Sequence, residues 1–181
     1  TIVGVTLSSV GLLTFWGGHI YGKNALLRHA QNEAIAVEQV DLSALAHKEA
    51  APDAVAAAKE AKGAALKKHR GTIKRAEMLS MVLNTLGGGL GLVLFGWISN
   101  RLGRRGAFVL YHAVGFVAMI VLFLWLMPAG APAWVLMVFL PIFGFFPLGM
   151  HAGYAVYFPE LYPTRLRSTG TGFCFNMGRL A

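Results

Sequence analysis

Charge is what this sequence has least of. Only 13% of its 181 residues are Asp, Glu, Lys or Arg, about half the roughly 25% usual in a soluble domain. Outside residues 23–77 there is a single carboxylate, Glu160. Cysteine is nearly missing as well. Cys174 stands alone inside an apolar run, which excludes a disulfide framework and a cysteine-based metal centre. There is no Ser/His/Asp order, no metal-ligand spacing and no phosphate-binding glycine loop beside a strand, so an enzyme is not expected and no cofactor or metal is implied. The run Gly87-Gly88-Gly89-x-Gly91 lies inside an apolar stretch, where a nucleotide site has no place. No basic n-region precedes the first apolar run, so a signal peptide is not expected.

What is abundant is apolar surface: 56% hydrophobic residues and a mean hydropathy of +0.57. It is gathered into runs at 1–22, 78–98, 107–127 and 133–158, with another beginning at Thr169. About 20 apolar residues cross the hydrocarbon at 1.5 Å rise per residue. The fold expected is therefore an all-α membrane protein, with about five spanning helices and one helical extramembrane insert. The domain reading is a first transmembrane helix at 1–22, the insert at 23–77, and helices two to five at 78–181. The net charge of +8 would suit nucleic acid. The basic residues, however, sit in connections between apolar runs and not on one face, so nucleic acid is excluded and membrane lipid is the expected partner.

In the first run Ser8, Leu12, Phe15, Trp16 and His19 share one helical face by 3–4 spacing. Trp16 and His19 read either as interfacial anchors or as lining of a polar cavity. Residues 23–77 hold 10 of the 16 Lys+Arg and 7 of the 8 Asp+Glu. A weakly amphipathic helix is expected over 25–40. An alanine-rich helix opens at Pro52-Asp53 and is expected to stop at Gly71, giving a solvated helical hairpin. Lys67, Lys68, Arg70, Lys74 and Arg75 lie where anionic lipid would meet them.

The second run carries glycines for close helix approach and Asn84, which needs a hydrogen-bond partner across helices. In the third, His112 calls only for snorkelling or a local hydrogen bond. The uncharged turn 128–132 is short enough to make the third and fourth runs antiparallel neighbours. The fourth is the most informative. Pro141 and Pro147 each remove a backbone hydrogen bond and favour a kink, so Pro141, Gly144 and Pro147 read as a hinge. Gly144, Pro147, His151, Tyr154 and Phe158 share one face. With an imidazole and a phenol on it, that face suits a solute pathway, the alternative being a packing face. In the last run Thr169, Gly172, Asn176 and Arg179 lie close to one face. A central Arg179 costs ~2.5 kcal/mol or more, so a partner is expected: a structural pair, or an anionic or coupling group.

Two loops carry a resemblance. Gly96-x-x-x-Asn100-Arg101-x-Gly103-Arg104-Arg105 resembles the loop between the second and third helices of each six-helix half in the major facilitator superfamily of secondary transporters. Pro159-Glu160-Leu161-Tyr162-Pro163-Thr164-Arg165-Leu166-Arg167 resembles the E-x-x-P-T-x-x-R segment after the fourth helix, common in its sugar and aromatic-acid branches. The resemblance implies a partial major-facilitator fold whose other six-helix half lies elsewhere. The segment from Thr169 to Arg179 looks more like an eleventh helix than a fifth, which favours helices seven to eleven, the C-terminal half. Helices one to five are the alternative.

The resemblance also implies a cytoplasmic gating network of charge, here Asn100, Arg101, Arg104, Arg105, Glu160, Arg165 and Arg167. Two spans separate the loops, so Glu160 and the arginines lie on one side, and a pair with Arg104 or Arg167 is expected. Asn100 stands where an aspartate is usual and forms no ion pair. The family places this side in the cytoplasm. That leaves the ten basic residues of 23–77 outside, against the positive-inside bias. The function implied is alternating-access transport of a small polar organic solute, an organic acid or a sugar, possibly with proton symport, in the plasma (inner) membrane. Trp16, His19, His151 and Tyr154 are the first pathway candidates, and Asn176 and Arg179 the second. A non-transporting sensor or partner-binding subunit on the same scaffold is the alternative.

Overall fold

The computed structural model describes residues 19–46 and 51–180, and all the regular structure among them is helical. Of the expected first span only its last turn, α1 (His19–Gly22), falls within the described residues. Trp16 lies outside them.

The organising element is α5 (Arg70–Ile120), which continues as a π-helical stretch, Val121–Leu126. A straight helix of the combined 57 residues would run ~85 Å, almost three times the ~30 Å hydrocarbon thickness. It is not straight, because Gly103 sits at φ 75°, ψ 162°, backbone angles that residues with a Cβ essentially never take. The chain doubles back there into two arms, 70–102 and 104–126. Phe95 of the first arm meets Phe108 and Tyr111 of the second edge-on, at centroid distances of 5.4 and 5.1 Å. The Tyr111 hydroxyl donates to the Gly91 carbonyl at 3.0 Å.

The third rod is α6 (Ala133–Glu160). It runs parallel to the first arm and antiparallel to the second. Gly144 faces Asn84, Gly87 faces the Pro141 carbonyl and Gly91 faces Phe145, while Gly149 meets Tyr111 and Gly115 meets Phe146. The expected antiparallel neighbours across 128–132 are present. So is the expected close approach: a Cβ at Gly87 or Gly91 would fall on the α6 backbone. Asn84 is buried at this contact. α6 stays one continuous helix through Pro141 and Pro147, and it passes Pro159 to end at Glu160.

Two lengths of helix among the described residues are long and apolar enough to cross a membrane: Arg70–Leu126, at hydropathy 2.4, and Ala133–Glu160, at 2.0. The first is divided at Gly103. The last helix, α7 (Arg167–Leu180), has 14 residues, ~21 Å at helical rise, short of a full crossing.

The insert departs from expectation in two ways. It comprises α2 (Ala25–Val37), α3 (Ser43–Ala46) and α4 (Pro52–Lys68). Gly71 does not stop α4. The interruption falls at His69 (φ −95°, ψ 15°), and Gly71 lies in the first turn of α5. Glycine lowers helix propensity by only ~1 kcal/mol, which the long helix that follows outweighs. Nor is α2 wholly solvated. Ala25 and Leu26 are buried in one cluster with Leu122, Leu136, Leu140 and Phe143, and the Ser80 hydroxyl donates to the Lys23 carbonyl.

Candidate functional site

The end of the molecule at Gly103 gathers the charged residues that lie outside the insert, Arg179 apart. Arg104 Nη1 lies 2.7 Å from Glu160 Oε1, which ties the start of the second arm to the last residue of α6. This is the pairing expected from two loops on one side. Both side chains are nearly half exposed, at 49% and 43%. Such a pair contributes ~0.2–1 kcal/mol, close to thermal energy and weak enough to open and close.

Arg101 lies over the Trp97 ring, 4.6 Å from its centroid, a contact worth ~0.5–1 kcal/mol at an exposed site. Their i,i+4 spacing made this contact legible, yet charge reasoning passed over it. Asn100, Arg105, Arg165 and Arg167 are exposed at the same end. Arg165 sits in a short 3₁₀ turn, Thr164–Leu166, and Arg167 opens α7. The opposite end has Trp125 and Trp134, 73% and 68% exposed. The helical path from Arg104 to Trp125 is ~32 Å, matching the ~30 Å between the two interfaces where such aromatics collect.

The α6 face expected to line a hollow is mostly packed. Gly144, Pro147, Tyr154 and Phe158 are buried, and His151 is half-buried. Tyr154 is fully enclosed. Its ring stacks on Phe108 at 5.6 Å and on Phe158 at 5.1 Å, and His151 lies beside it at 6.1 Å between centroids. The period placed these residues on one face correctly. That the face meets α5 follows from the glycine contacts, which bring the helices together on that side.

His112, given only a local role, bonds its own helix through Nδ1 to the Phe108 carbonyl at 2.8 Å. Its Nε2 also reaches Tyr154 Oη at 3.4 Å. That second contact crosses helices, and spacing within one helix carries no sign of it. Asn176 is exposed on α7, and its amide donates to the Gly172 carbonyl one turn back. The backbones of His19 and Arg179 lie in α1 and α7; their side chains are outside the described ones. No group of three or more His, Cys, Asp or Glu suited to a metal ion occurs among the described residues.

The insert has its own polar junction. Glu38, at the end of α2, accepts from Lys68 Nζ (2.9 Å) and lies 2.9 Å from His69 Nε2. Hydrogen bonds from Lys68 first, then His69, hold its carboxyl below the ordinary value of 4.5. This ties α2 to the bend where α4 passes into α5.

A family described as "Sugar (and other) transporter" matches residues 57–181, which take in α5, α6, α7 and both signature loops. The chain belongs to this family. It lies within the major facilitator superfamily, as the two loops implied.

Among curated relatives, a Haemophilus influenzae protein named for metabolite transport is 33% identical over 89 residues, covering 49% of this chain and 21% of the relative. The synaptic vesicle 2-related protein of Rattus norvegicus is 29% identical over 108 residues, 60% of this chain and 19% of its own length. A Cupriavidus pinatubonensis protein named for 4-methylmuconolactone transport is 26% identical over 102 residues, 56% of this chain and 23% of the relative. The matched chain spans about a fifth of each of these relatives. No solved structure matches it.

Proposed function

We propose that the chain is part of a secondary transporter that moves a small polar organic solute by alternating access, coupled to a proton. The observation that carries this reading is the Arg104–Glu160 pair. It is a weak, half-exposed ion pair between the two signature loops, placed to hold one end of the molecule shut and to break as the helices tilt. On this reading Asn100, Arg101, Arg105, Arg165 and Arg167 complete the gating network, and Pro141, Gly144 and Pro147 supply the bend in α6.

Two relatives, one named for metabolite transport and one for 4-methylmuconolactone transport, support the choice of substrate class. A small organic acid or its lactone is the first choice and a sugar the second. Trp16, His19, His151 and Asn176 would face the solute, with Arg179 as the anion partner. The chain would form helices seven to eleven of a multi-pass plasma (inner) membrane protein, with the other six-helix half preceding it.

The test is uptake into proteoliposomes by the full-length protein, with and without a proton gradient, over a panel of labelled organic acids, lactones and sugars. One panel member should accumulate. Glu160→Gln and Arg104→Gln should each change its uptake several-fold at unchanged protein level, and the Arg104→Glu/Glu160→Arg swap should recover part of it. Uptake of no panel member would remove the transport reading, and uptake indifferent to these variants would remove the gate.

A second reading, a sensor or partner-binding subunit, is favoured by one observation: the insert helix α2 buries Ala25 and Leu26 in the core of the bundle. Deleting residues 40–62, which leaves α2 docked, separates the two. A transporter keeps uptake, whereas a sensor loses its output.

A further inference from the structure

We propose that the cleft between α2 and the turn at 127–132 binds the headgroup of a phospholipid carrying a phosphate and a primary ammonium, with an acyl chain in the exposed groove beside it. The proposal goes beyond transport and does not rest on that reading.

The cleft encloses about 540 Å³, and its two walls differ in character. One wall is a single face of α2, where Arg28, His29, Asn32 and Glu33 recur at one-turn spacing. The other is the apolar end of the bundle, with Leu126, Pro132 and Leu136. The polar wall is fixed to the membrane helices. Ala25 and Leu26 are buried against the second arm and α6, and the Lys23 carbonyl accepts from the Ser80 hydroxyl.

Trp125 and Trp134 adjoin the cleft residues Leu126 and Ala133 in the chain, and both are mostly exposed. Such aromatics collect at the membrane interface, so the cleft lies at headgroup level. A groove of about 430 Å³ runs beside it, lined by Trp125, Trp134, Val138 and Ile142 among others and by no charged side chain among the described residues. Leu126 lines both hollows. From Trp134 to Ile142 the groove follows α6 for ~12 Å, most of the ~15 Å that half the hydrocarbon core measures. A charged hollow joined to an apolar one suits a molecule with a charged head and a hydrocarbon tail. A soluble solute has no use for the second hollow.

The headgroup class follows from the charges. Arg28 and Glu33 supply one of each sign, and neither forms an ion pair among the described residues. Arg28 lies over the Tyr21 ring, 5.6 Å from its centroid, and its fork of N–H donors suits phosphate oxygens. The Glu33 carboxylate and the Asn32 amide oxygen are acceptors for the three N–H of a primary ammonium. Residues 28 and 33 stand ~7.5 Å apart along the axis, a span their flexible side chains can close onto adjacent groups of one headgroup. A quaternary ammonium has no N–H to donate and is held by aromatic faces, yet no Phe, Tyr or Trp lines the cleft among the described residues. A headgroup with a phosphate and no cation would set its charge against Glu33.

The test is native mass spectrometry of the full-length protein in detergent, titrated with phosphatidylethanolamine, phosphatidylcholine and phosphatidylglycerol of identical acyl chains. The wild type should hold phosphatidylethanolamine roughly two- to fivefold more tightly than the other two, the range that exposed charge contacts support. Arg28→Gln and Glu33→Gln should each remove that preference while phosphatidylcholine binds as before, which shows that the variants are folded. Lys59→Gln, a charge removed from the exposed side of α4, should keep it. Glu33→Lys leaves two cations in the cleft and should turn the preference to phosphatidylglycerol. Glycerophosphoethanolamine, the same head without chains, should fail to displace the lipid even in large excess. No preference in the wild type, or a preference unchanged in both the Arg28 and Glu33 variants, would overturn the proposal. Displacement by glycerophosphoethanolamine would overturn it too, by making the cleft a site for a soluble phosphoamine. Each result is read without a transport assay, so failure here and failure of the transport reading stay distinct.

Discussion

Glu160 shows how little energy the loop end holds in any one contact. Its pair with Arg104 is close to half exposed on both sides, so Glu160→Gln should lower thermal stability in nanodiscs by less than ~1 kcal/mol. A larger loss would mean that the carboxylate is more deeply engaged than its exposure allows. Tyr111 is the opposite case. Its ring is fully buried and its hydroxyl bonds the Gly91 carbonyl, so Tyr111→Phe should cost ~0.5–1.5 kcal/mol in the same assay. The first pairing was legible because counting spans puts both loops on one side. The second was not, because no feature of the sequence states how far the second arm is rotated about its own axis.

Among elements, the contact between the first arm and α6 makes the sharpest prediction. A side chain at Gly87 would meet the Pro141 carbonyl, whereas one at Gly89 would meet nothing. Gly87→Val should therefore destabilise by ~1–3 kcal/mol through overpacking, or displace α6. Gly89→Ala, two residues away in the same glycine run, should be neutral or slightly stabilising, because alanine favours helix. Equal losses in unfolding measurements would show that the helices do not pack through this face. Gly103→Ala should be costly for a different reason, since space is open there but the backbone angles are not. The sequence marked the run Gly87–Gly91 for close helix approach without saying which glycine makes it. Which glycine faces a neighbour depends on helix rotation, and only Gly103 reveals its purpose through its place in a turn.

At the scale of the molecule, the insert and the bundle are one packed body at the α2 contact. Ala25 and Leu26 share a cluster with residues of the second arm and of α6, and Glu38 grips Lys68 and His69 at the head of α5. The carboxyl of Glu38 is held below 4.5 in the folded chain. Its contribution is therefore complete above that value and lost as pH falls through the lowered one. Hydrogen exchange of residues 25–46 should speed up more than that of 84–95 as pH falls below 4.5, and Glu38→Gln should abolish the difference. Exchange that rises equally in both segments would show general acid unfolding instead. The large apolar side chains of the first arm, Leu86, Leu90 and Val93 among them, are exposed, which suits a face turned to lipid.

Class and family were written in the order of residues. Apolar runs of spanning length point to membrane helices, because lipid requires every backbone group to be satisfied within its own helix. The two charged loops identified the superfamily before any helix was placed. What required the folded chain was every contact between helices: Tyr154 buried against Phe108, His112 reaching across to it, Gly87 under Pro141, and α2 docked on the bundle. A period of 3.6 residues assigns side chains to a face, but the direction of that face is set by which neighbour can approach most closely, and that information is spread over three helices at once.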